Sequence, residues 1–136
     1  MFDPLLPYAG YLAFILRVWV GANFILHARP KLQHLPQTVQ SMKGMGVPAG
    51  ATYAATALEL VGGVALILGL LVPVVGLLFV VFMVANSIMK KKKMQADYIS
   101  TGKPSYEVDA LYLALALVLV FLGAGVLSLD GALGLQ

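Results

Sequence analysis

AGATYAATALELVGGVALILGLLVPVVGLLFVVFMVANSIMKKKK, residues 49–93, contains two long apolar runs that meet at Val72-Pro73-Val74 and end in four lysines. Each run approaches the roughly 20 residues that cross a hydrocarbon core about 30 Å thick. Pro73 has no N–H to give a helix interior and restricts the residue before it, so the three residues at the junction form a tight turn. The stretch therefore predicts an antiparallel helical hairpin, with spans over 49–71 and 74–89. Working outward, a further apolar run covers 8–27 and another covers 108–127. The expected fold is an all-α membrane protein, a four-transmembrane-helix antiparallel bundle formed by a single domain.

Composition agrees with that class. The chain has 136 residues, of which 60% are hydrophobic and 11% charged, with a mean hydropathy of +0.90. A soluble domain of this size requires far more polar surface. There is no cysteine, which excludes a thiol nucleophile, a disulfide relay and thiolate metal ligation within the chain. His27 and His34 are seven apart with Pro30 between them, a poor metal spacing, so neither a metal nor a covalently bound cofactor is expected. The net charge of +3 comes from basic residues flanking apolar runs, as membrane loops require, and gives no nucleic-acid signal.

Between the first two runs, Leu32, Leu35, Val39, Met42 and Met45 recur at three- and four-residue spacing opposite glutamines and Lys43. That pattern predicts a short interfacial helix between helices 1 and 2. Of the nine Lys and Arg residues, eight fall in the first-to-second and third-to-fourth connections. The positive-inside rule then places both long loops in the cytoplasm and both termini outside, across a cytoplasmic (inner) membrane. The four lysines at 90–93 read as a stop-transfer signal and an anchor to the lipid bilayer.

Two charges sit within apolar runs. Arg17 and Glu59 each lie about 14 Å from the end of their helix at 1.5 Å per residue, near one depth, so a buried ion pair between them is expected. Toward the cytoplasmic side the same topology gathers His27 and Asn23 from the first helix, Tyr53 from the second, Asn86 from the third, and Asp109 and Tyr112 from the fourth. An imidazole, amides, phenols and a carboxylate at the edge of an apolar bundle suit a quinone, whose carbonyls and protons they can handle. Interhelical hydrogen bonding and interface anchoring account for the same residue types.

Four segments carry a family resemblance: LRVWVGANFILHARPKL (16–32), GMGVPAG (44–50), LELVGGVALILGLLVP (58–73) and LGAGVLSLD (122–130). In this order they resemble the DoxX family of small four-helix membrane proteins, with Ala28 standing where many relatives have Gly. The resemblance implies a membrane subunit of a quinone-linked redox system, such as thiosulfate:quinone oxidoreductase, with quinone as diffusible substrate and further protein subunits as partners. It leaves open a non-catalytic anchor or assembly subunit that docks a soluble partner at the cytoplasmic loops.

Overall fold

The computed structural model describes residues 3–99 and 101–135. A 3₁₀ turn, Asp3–Tyr8, leads into α1 (Ala9–Gln33), followed by α2 (Leu35–Gly44), α3 (Ala49–Leu68), α4 (Val72–Lys93), α5 (Glu107–Leu122) and the short α6 (Leu129–Ala132). Among the described residues no strand forms; Asp97 and Ser105 make an isolated bridge in the α4–α5 loop. By length and composition three helices can cross a bilayer: Pro4–Gln33, Ala49–Leu68 and Val72–Lys93. They are also apolar on their outward faces, where Ile15, Trp19, Val61 and Val81 are exposed. A helix that is hydrophobic on all sides needs an apolar solvent.

Helix boundaries depart from the sequence expectation at four places, one of them the helix expected over 74–89, which continues through the four lysines to Lys93. The first helix continues past residue 27 to Gln33, which carries Lys31 on a helix instead of a connector. The hairpin turn falls at Gly69–Leu71, before Pro73 rather than around it, because Pro73 occupies the first turn of α4, where its missing N–H has no helical partner to lose. Gly69 is left-handed at φ 70 and closes α3: Leu70 N–H donates to Ala65 O and Gly69 N–H to Leu66 O, the paired bonds of a Schellman cap. Finally, the run expected over 108–127 is helical only over Glu107–Leu122; Gly123, Gly125 and Leu127 all have positive φ and turn the chain back over α1.

The core is built where the helices cross. A Cβ on Gly21 of α1 would meet Gly63 O of α3 at 2.5 Å, and one on Gly63 would meet Gly21 O at 2.8 Å. Only glycine permits that backbone approach. Phe24 of α1 stacks on Phe79 of α4 with centroids 3.8 Å apart, and Val20, Leu66, Met83 and Leu119 complete the buried cluster. Helix α5 lies along α4, with Gly76 facing Ala116 and Val120.

Candidate functional site

Arg17 and Glu59 do not pair. The Gly21–Gly63 crossing fixes the register of the antiparallel α1 and α3, and it sets Arg17 level with Leu66 and Ile67 rather than with Glu59. Four residues on each helix separate the two charges, about 12 Å at 1.5 Å per residue. Side chains on a helix also lean toward its N-terminus. Arg17 therefore reaches away from Glu59, whereas Lys31, lower on α1, leans up toward it.

Each charge has found a different partner. Arg17 is fully buried, and its Nη1 donates to Leu66 O at 3.1 Å and Ile67 O at 2.7 Å; Nη2 donates to Val126 O at 3.2 Å and to Leu127 O. The guanidinium thus joins the last turn of α3 to the segment after α5, satisfying carbonyls that helix ends leave open. Asp130 seals the same end. Its carboxylate accepts Leu71 N–H at 2.7 Å and Val72 N–H at 3.0 Å, while Asp130 N–H donates to Gly69 O at 2.9 Å. Leu71 is held at φ 50, a left-handed conformation that costs a non-glycine residue about 1–3 kcal/mol and persists only where its surroundings fix it.

Glu59 pairs instead with Lys31, Nζ to Oε1 at 2.6 Å, with the Glu59 side chain 3% exposed and that of Lys31 29%. Glu59 lies in a π-helical turn, Leu58–Gly62, within α3. Such single turns take up an extra residue inside an α-helix and recur at functional sites. Its second oxygen, Oε2, is buried without a hydrogen-bond partner among the described residues.

These groups line one cavity of about 540 Å³ between α1, α2, α3, α4 and α5. His27, Asn86, Asp109 and Tyr112, from three different helices, all border it, together with Glu59, Lys31 and Lys90. Tyr112 stands edge-on to His27, with centroids 6.0 Å apart, and lies 5.3 Å from Phe24. Lys90 Nζ is 2.7 Å from Asp109 Oδ2, a contact of charges without the alignment of a hydrogen bond. Two other expected members are elsewhere. Asn23 Nδ2 donates to Trp19 O at 2.9 Å on its own helix, and Tyr53 is exposed on α3; neither borders the cavity.

The walls combine these polar groups with flexible apolar ones. Met42, Met45, Met83, Met89 and Met94 all border the cavity, five of the six methionines in the chain. Methionine adapts its shape to irregular apolar partners. A smaller chamber of about 60 Å³ lies beside the Lys31 side chain and is also bordered by Thr52, Thr56 and Asn86. Thr52 Oγ1 is buried there without a partner among the described residues, in a volume that suits a few water molecules.

Lys31, Lys90 and Asp130 carry much of this arrangement and were not singled out by the sequence. Lys31 is four residues after His27 and so shares its face, a signal obscured by ending the first helix at residue 27. Lys90 is hidden in a run of four lysines, and Asp130 in a short tail.

Comparison with known proteins gives the same family as the sequence motifs. The DoxX family model matches residues 12–89. The chain belongs to the DoxX family. It is 33% identical over 116 residues to a Bacillus subtilis (strain 168) protein named "Putative oxidoreductase CatD", covering 85% of this chain and 82% of that one. No solved structure matches. The family match covers α1 to α4 and so includes His27, Lys31, Glu59 and Asn86, while Asp109 and Tyr112 lie beyond it on α5.

Proposed function

We propose that this DoxX protein is a four-span membrane subunit of a quinone-linked redox system and that the 540 Å³ cavity receives the quinone head group. The observation that carries this reading is the convergence of an imidazole, a phenol, an amide and two lysine–carboxylate pairs on one apolar, methionine-rich cavity. A ring with two polar oxygens has partners there for both its faces and its edges. His27, Tyr112 and Glu59 are groups that accept or donate protons as the head group gains or loses electrons. The small chamber beside Lys31 shares Met42, Asn86 and Met89 with the cavity and has the volume for water that could relay those protons. The chain has no cysteine, so electrons that require a thiol or cluster carrier pass through a partner subunit. The relative's name as an oxidoreductase agrees with redox work.

In this reading α5, about 24 Å long at 1.5 Å per residue, is the fourth span, extended by the segment that Arg17 and Asp130 hold. Helix α2 lies at the interface beneath the cavity. Both termini face outward, and lysines 90–93 meet the anionic inner leaflet of the cytoplasmic membrane. The α4–α5 loop also exposes Tyr98 and Ile99, a surface suited to docking the partner subunit, or to an anchoring role without catalysis.

Binding of short-chain quinones to the purified protein tests the reading. The expected result is saturable binding that His27→Ala and Tyr112→Phe weaken. Absence of binding at millimolar ligand, with wild-type electron transfer by both variants in the intact membrane, refutes it. Replacing the four lysines by glutamine while keeping the bundle intact tests the anchoring role through release of the partner from membranes.

A further inference from the structure

We infer that the cavity favours the reduced, hydroxyl-bearing form of its ligand, a hydroquinone, over the quinone, with Glu59 Oε2 accepting the ligand O–H. The inference rests on the reading of the cavity as a quinone head-group site. Glu59 is 2% exposed and borders the cavity, with Oε1 already taken by Lys31 at 2.6 Å. Oε2 has no partner among the described residues. An ion-paired carboxylate only accepts hydrogen bonds, so what this wall lacks is a donor. Rotation about the terminal bond of glutamate is soft, so Oε2 can adjust to a ligand hydroxyl by a small turn that keeps Oε1 within reach of Lys31.

The two lysines beside the carboxylates are engaged. Lys31 is committed to Glu59 and lies 5.9 Å from the Phe82 ring centroid, and Lys90 is committed to Asp109. Tyr112, His27 and Asn86 can donate to the oxygens of either form, so the two are told apart at Glu59, where a quinone sets a carbonyl lone pair against those of the carboxylate and a hydroquinone completes it. A hydrogen bond to a charged group corresponds to a preference of about tenfold or more. A tenfold preference for the reduced form raises the potential of the bound two-electron couple by about 30 mV. The bound quinone becomes easier to reduce, which suits electrons arriving from a partner subunit.

The test uses the full chain in nanodiscs under anaerobic conditions with three short-chain ligands of one ring: the quinone, the hydroquinone and its di-O-methyl ether. The hydroquinone should bind about tenfold more tightly than both others, since the ether keeps the ring and loses the donors. In Glu59→Gln, whose amide both donates and accepts, the preference should vanish while helical circular dichroism stays unchanged. If that variant does not fold, the three-ligand series on the wild type still decides. Equal binding of hydroquinone and ether, or tighter binding of quinone, overturns the inference and leaves the quinone-site reading standing. If none of the three binds, both are overturned.

Discussion

Replacing Arg17 with methionine removes the cation and its donors while keeping an unbranched side chain in the space. The guanidinium donates to four carbonyls on two segments and is fully buried. Hydrogen bonds to a charged group contribute about 1.5–3 kcal/mol each, but bonds sharing one guanidinium and adjacent carbonyls do not add. Removing the charge also relieves its insertion cost, which at a helix end is smaller than the roughly 2.5–3.5 kcal/mol of a helix centre. Asp130, whose charge interacts favourably with Arg17, loses that support. The balance is a loss of about 1–3 kcal/mol, the cost of leaving buried carbonyls without their donor. Arg17→Lys should fall between, because one ammonium cannot reach carbonyls on both segments. The assay is reversible unfolding in mixed micelles titrated with dodecyl sulfate and followed by circular dichroism. A double-mutant cycle of Arg17 with Glu59 should give coupling below about 0.5 kcal/mol, as expected for groups without shared partners, whereas Lys31 with Glu59 should couple measurably. Stability of Arg17→Met within about 0.5 kcal/mol of wild type would refute the capping role, on the scale of ordinary surface changes. Strong Arg17–Glu59 coupling would refute the register.

Asp130→Asn replaces an oxygen facing one of two backbone N–H groups with an amide donor, and should destabilise by about 1–3 kcal/mol in the same titration. Gly21→Ala places a methyl 2.5 Å from Gly63 O and should cost about 1–3 kcal/mol through separation of α1 and α3, while Gly50→Ala, with nothing within 4 Å, should leave stability unchanged or slightly raised. Because the chain has no cysteine, single cysteines at Leu70 and Gln95 can be labelled with an impermeant maleimide in intact cells and in inverted vesicles. Labelling from opposite sides is expected, with a cysteine at Gly134 reacting from the Leu70 side; labelling of all three from one side would exclude the four-span topology.

The membrane class was legible because the signal is long-range: apolar runs near bilayer length with basic residues at their ends survive errors of several residues at each boundary. Topology also suffices to bring His27, Asn86, Asp109 and Tyr112 toward one end of the bundle. The partner of Arg17 was not legible, because every residue carries a carbonyl and an acceptor of that kind leaves no mark in the sequence. Depth arithmetic then selected Glu59 as the nearest visible carboxylate. What it lacked was the Gly21–Gly63 contact, which sets the register and is evident only once two glycines on different helices are known to face each other. Asp130 was missed for a related reason: its work is done on the N–H groups of a turn 58 and 59 residues away.

That crossing also explains why a π turn belongs in α3. Above it, Leu66 and Ile67 must offer their carbonyls to Arg17; at it, Gly63 must face Gly21; below it, Glu59 must face Lys31 and the cavity. A residue added to an α-helix rotates everything beyond it by about 100°. The π turn at Leu58–Gly62 lies between Gly63 and the N-terminal half of the helix, so it adjusts the facing of one half without disturbing the other. The C-terminal end can then be locked by Arg17 and Asp130 while the π turn keeps a buried carboxylate oxygen without a partner among the described residues. A rigid end and an unsatisfied group on the same helix are what a binding site needs when its ligand must displace little of the scaffold.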